Sequence, residues 1–94
     1  MKARWNGTIV AESDETVEAR GYHYFPPEAV RTELLRATAR TERDLECPHG
    51  VQFYDVVADG AVAERAAWSY EAPQAELEPV EGWIGFWHEI ELEL

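Results

Sequence analysis

The chain reads as a mainly β protein: one small antiparallel domain over residues 1–94 with at most one short helix. Three observations carry this reading. Asn6-Gly7 and Asp59-Gly60 are turn pairs that tolerate positive φ at both central positions, as two-residue hairpin loops require. Val51-Gln52-Phe53-Tyr54-Asp55-Val56-Val57 is dense in β-branched and aromatic residues, which suit a pleated, half-buried surface. Residues 89–94 alternate Glu with Ile90, Leu92 and Leu94, the period of a strand with one wet face.

In chain order, Lys2–Trp5 and Thr8–Ala11 should pair across Asn6-Gly7, and Thr16–Arg20 should form a short strand ended by Gly21. Tyr22-His23-Tyr24-Phe25 must stop at Pro26-Pro27, which remove two backbone donors. Pro27 suits a first helical position, and Val30, Leu34 and Leu35 are spaced for one helical face, so residues 28–37 read as a short helix or a strand after Val30. The polar stretch 38–46 reads as a loop. After the strong strand and Asp59-Gly60, the chain should return through Ala61-Val62 to Ala67-Trp68-Ser69-Tyr70. Pro73 and Pro79 bracket a loop, and Trp83–His88 is another strand. In the closing alternation the aliphatic residues should face the core and Glu89, Glu91 and Glu93 the water. The total is six to eight short strands.

A hydrophobic share of 46% exceeds what a disordered chain carries, and 12% aromatic residues supply the bulk a small core needs. Net charge is −11 and uneven: residues 1–65 hold twelve acids against eight bases, while residues 66–94 hold seven Glu and no Lys or Arg. Such a surface repels phosphate backbones and anionic lipid, which argues against nucleic acid and membrane as partners. The N-terminal residues carry no apolar stretch like a signal peptide, and no window reaches the length of a membrane span. The lone Cys47 has no partner for an intramolecular disulfide. The expected location is cytoplasmic. Oligomeric state is not legible.

Trp5-Asn6-Gly7, His23-Tyr24-Phe25-Pro26-Pro27, Leu35-Arg36, Cys47-Pro48, Tyr54-Asp55-Val56-Val57, Ala67-Trp68, Gly82 and Phe86-Trp87 form an ordered series. On that series the chain resembles the bacterial family called domain of unknown function 427, from residue 1 to about residue 90. The resemblance implies an antiparallel β-tent, a shape shared with small zinc-binding exchange-factor-like (Mss4-like) proteins. It also carries a nucleotidyltransferase label, yet the chain has neither a Gly-rich phosphate loop nor a paired-aspartate Mg²⁺ site. Two positions depart from the family pattern: Tyr22 stands where Asn is usual, and Cys47-Pro48-His49-Gly50 replaces Cys-Pro-Trp-Lys-Gly.

Three functional readings stay open. The first is a small-molecule binding module whose cleft near Cys47 is lined by His23, Tyr24, Arg36, Cys47, Tyr54, Trp68 and Tyr70. Arg36 would grip an anionic group and the aromatics would cover a planar part, and Arg36, Cys47 and Tyr54 in particular should share one cleft. The second is an enzyme with Cys47 as nucleophile and His23 or His49 as its base. The third is a structural or protein-interaction domain. Each residue also has a plainer use: a buried Cys is a small hydrophobe, and aromatics in so small a domain are core. No cofactor is implied, and one Cys with three scattered His writes no four-ligand zinc site.

Overall fold

The computed structural model describes residues 1–94 and is mainly β. Nine strands run in chain order: β1 (Lys2–Trp5), β2 (Thr8–Glu12), β3 (Val17–Ala19), β4 (Tyr22–Phe25), β5 (Leu35–Ala37), β6 (Val51–Ala58), β7 (Ala61–Tyr70), β8 (Ile84–Phe86) and β9 (Glu91–Glu93). They form two antiparallel sheets, one ordered β2-β1-β9 and the other β3-β4-β8-β7-β6-β5. The strand total exceeds the expected eight because Leu35–Ala37 pairs as a strand of its own. No helix is long and apolar enough to cross a membrane.

Both expected hairpins form. Asn6 and Gly7 have φ of 50° and 78°, Asp59 and Gly60 have 49° and 76°, the positive pairs of a type I′ turn. A third such turn joins β3 to β4 at Arg20-Gly21, with φ of 53° and 83°. There Gly21 ends one strand and opens the next.

Pairing overrides local spacing at residues 28–37. Val30 bridges Ala11, and the Arg31 N–H donates to the Val10 carbonyl at 2.8 Å, so the edge of β2 claims this backbone. Leu35, Arg36 and Ala37 then pair with Val56, Asp55 and Tyr54 of β6. Only single 3₁₀ turns survive at Pro27–Ala29 and Thr32–Leu34, and no α-helix forms here. The α-helix lies instead in the stretch expected to be a loop, at α1 (Glu42–Leu45). Its start is a capping box: Thr41 Oγ1 accepts from the Asp44 N–H, and the Asp44 carboxylate accepts from the Thr41 N–H. The Pro73–Pro79 loop also contains a 3₁₀ segment, Ala75–Val80, which buries Leu77 and Val80.

The six-stranded sheet has apolar residues on both faces. One face packs on the small sheet through Phe25, Val56, Ala63, Ile84 and Phe86, meeting Ala3, Val10 and Ala11. The other holds Tyr24, Val51 and Trp68 beneath Leu77 and Val80 of the 3₁₀ segment, with Phe53, Tyr70, Trp83 and Trp87 around them. Strand alternation produces this split: Phe25 faces one core and Tyr24 the other, Tyr54 one and Phe53 the other. The closing alternation is only partly used. Ile90 is buried, but Leu92 is 39% exposed and Leu94 fully exposed, because β9 is an edge strand at the sheet margin with no layer over it.

Candidate functional site

The second core is a row of rings in contact. Trp68 lies edge-on to Tyr22 at 5.0 Å, to Tyr24 at 5.8 Å and to Trp87 at 5.1 Å. Tyr24 reaches Tyr70 at 6.2 Å, and Tyr70 reaches His49 at 5.3 Å. At the other end Trp87 lies against His88 at 4.2 Å, with the ring planes 31° apart. Trp68 needs Gly85 beneath it: a Cβ there would stand 2.7 Å from its Cζ2. The indole Nε1 of Trp68 is buried without a hydrogen-bond partner, although the Tyr24 hydroxyl is its neighbour. Burial, aided by Tyr70, pushes the Tyr24 phenol up to about 12, so it keeps its proton at neutral pH.

Of the residues singled out in the sequence, Tyr24, Cys47, Trp68 and Tyr70 come together in this second core. The others do not join them. Tyr54 packs on the main core, across the sheet. Arg36 is exposed and stands 3.9 Å from Asp55. His23 sits 3.5 Å from Glu18 on the neighbouring strand. His49 is buried and its Nδ1 accepts the Gln74 N–H at 2.9 Å, which anchors the start of the 3₁₀ segment. That lone pair is therefore engaged in structure, and the nearest group to Nε2 is Glu76 at 3.8 Å.

Sequence reasoning passed over Arg65, the hub of the second face. Between the pairs Tyr54↔Ala67 and Val56↔Ala63, Asp55 alone opposes Glu64, Arg65 and Ala66, so β7 bulges. Arg65 takes φ 51° there, and its N–H donates to Asp55 Oδ1 at 2.9 Å. The guanidinium then forms a two-pronged pair with Asp44, at 3.2 and 2.8 Å, and lies 4.1 Å from the Phe53 ring centroid. This pairing holds the Asp44 carboxyl below its ordinary value of 3.8, hydrogen bonding to Arg65 being the largest cause. Trp87 Nε1 donates to the Arg65 carbonyl at 2.6 Å, so the bulge also fixes the last tryptophan of the ring row.

The surface has one cavity, of about 460 Å³, walled by Trp5, Val62, Glu64, His88 and Glu89. Three remote segments build it: the β1–β2 turn, the start of β7 and the turn after β8. His88 connects it to the ring row through Trp87, and its left-handed φ of 56° belongs to the turn that the Ile90 N–H closes on the Trp87 carbonyl at 3.2 Å. No signal in the sequence links these five residues, since Trp5 reads as a turn flank and Glu64 and Glu89 as solvated acids. No three His, Cys, Asp or Glu side chains converge as a metal centre.

Among curated proteins none matches the chain. The family model described as a domain of unknown function, DUF427, whose label names nucleotidyl transfer, matches residues 1–93, and the chain belongs to that family.

Proposed function

We propose that this protein is a non-catalytic module that binds a small molecule, seated in the cavity of Trp5, Val62, Glu64, His88 and Glu89. One observation supports this above the others: the surface carries an open pocket of about 460 Å³, in the size range of small-ligand sites, with an aromatic wall and three titratable side chains. The seat thus differs from the Cys47 cleft that the sequence favours. Cys47 packs in the second core together with Tyr24, Trp68 and Tyr70, and of these Trp68 lies against Trp87, which in turn lies against His88.

The catalytic reading of Cys47 has less support. A thiol nucleophile needs a base with a free lone pair. His49 uses its Nδ1 on Gln74, and no hydrogen bond joins Cys47 to His23 or His49. Nucleotidyl transfer needs cationic side chains or Mg²⁺-binding acids around phosphate, whereas the cavity has no Lys or Arg, and Glu64, Glu89 and His88 do not converge as a metal site.

A melting-shift screen of neutral, anionic and cationic small molecules tests the proposal, run on the wild type and on Val62→Trp. Val62 is 42% exposed, so a tryptophan there fills the cavity without entering the core. A compound that raises the wild-type melting temperature by about 2 °C or more, the effect of a ligand held well above its Kd, should lose that effect in Val62→Trp. Hits that shift both proteins equally place the ligand elsewhere.

A further inference from the structure

Resting on that seat, we infer that its ligand is a small organic cation, bearing an alkylammonium or guanidinium group. The charges are the first ground. Six of the eight basic side chains stand against an acid: Lys2 with Glu12, Arg4 with Glu93, Arg20 with Glu76, Arg36 with Asp55, Arg40 with Glu71 and Arg65 with Asp44. Glu64 and Glu89 line the cavity, and neither is in an ion pair. The nearest base in sequence to Glu64 is Arg65, and the bulge turns it away to Asp44. The cavity therefore keeps two carboxylates without counter-charge, and an anionic ligand would face both.

The walls are the second ground. Trp5 is packed on the main core, so its indole is held in place rather than free. Tryptophan is the best of the side chains at attracting a cation to its ring face, and the attraction grows where water is displaced. Val62 adds an apolar contact for the carbon part of such a ligand. A bare metal ion fits poorly, because no three metal-ligating side chains converge anywhere in the molecule.

The third ground is the field of the molecule. Residues 66–94 carry seven Glu and no Lys or Arg, and that field raises the local concentration of a cation.

Nitrogen-15 labelled protein titrated with choline, agmatine and the uncharged choline analogue 3,3-dimethyl-1-butanol tests the inference. The expected result is a saturable shift of the Trp5 indole signal with at least one cation, at concentrations up to about 10 mM, ten times a millimolar Kd. The neutral analogue should bind at least about tenfold more weakly, and the exposed pair Glu64→Gln with Glu89→Gln should weaken the cation by a similar factor. Equal binding of the neutral analogue at Trp5 would overturn the cationic assignment and leave the cavity as the seat. Non-saturating shifts spread over the acidic surface would overturn it as diffuse attraction. No cation acting at Trp5 would overturn it as well, and the Val62→Trp arm of the melting screen would then decide the seat separately.

Discussion

Arg65 ties together β6, α1 and Trp87: its N–H meets Asp55 on β6, its carbonyl meets Trp87, and its guanidinium meets Asp44 of α1 and Phe53 of β6. Asp44 is 6% exposed, so its charge depends on this partner. Replacing it by Asn should cost about 2 kcal/mol at neutral pH, less than for a fully buried pair because the Arg65 side chain is 35% exposed. The pH dependence follows from the direction of the shift. Arg65 holds the Asp44 carboxyl below 3.8, so the unfolded chain binds the proton more readily. The stabilisation is full above the unfolded value and fades as pH falls through the lower folded one. Urea melts of wild type and Asp44→Asn should therefore differ at pH 7 and draw together as the pH falls below 3.8 and on through the lowered folded value; a constant difference would show that shape, not charge, makes the contribution. None of this was legible in the sequence. Arg65 lies in a strand of alternating character, and its role depends on a bulge that only pairing with β6 creates.

The hairpin turns, whose cause is local, follow from the sequence, whereas the stretch 28–37 is decided by pairing with other strands. Asn6-Gly7 and Asp59-Gly60 announce their turns because positive φ is a property of the residues themselves. Nothing lies within 4 Å of a Cβ placed on Gly7 or Gly60, so a substitution there meets only the backbone penalty. Gly60→Val should lower stability by about 1 kcal/mol or more without altering the spectrum of the folded state, and Gly7→Val should do the same. A neutral effect at both would contradict the type I′ geometry. The stretch 28–37 misled because Val30, Leu34 and Leu35 keep a helical spacing while the edges of β2 and β6 capture their backbone. The helix at Glu42–Leu45 is hard to read from sequence because it is a single four-residue turn with no apolar face, although its capping box, Thr41 with Asp44, is present there. For the site, the alternation of β7 puts Trp68 and Tyr70 on one face, and both belong to the second core, with Trp83 and Trp87 packed beside them. The cavity stayed hidden, because long-range folding alone brings Trp5, Val62, Glu64, His88 and Glu89 together.

At the scale of the whole molecule, a net charge of −11 on 94 residues sets local attraction against general repulsion. The fold eases the imbalance at the chain ends, where the Glu-rich β9 pairs with the basic β1: Arg4 stands 3.2 Å from Glu93, and Lys2 faces Glu93 in register. The other pairs are mostly on the surface, where each is worth about 0–1 kcal/mol and weakens with salt. The repulsion among the remaining acids is longer in range. Glu78 and Glu81, at the end of the 3₁₀ segment, have no cationic partner. Raising ionic strength from about 0.01 M to about 0.15 M shortens the screening length from about 30 Å to about 8 Å. Distant repulsions are then quenched, while ion pairs in contact lose less. Added salt should therefore stabilise the protein by about 0.5 kcal/mol, a rise of roughly 2–4 °C in melting temperature for a chain this long. Glu78→Gln with Glu81→Gln should raise the low-salt melting temperature in the same direction and shrink the response to salt. A fall in melting temperature on adding sodium chloride would instead mean that the surface pairs outweigh the repulsion, and the Gln variants would then leave the salt response unchanged.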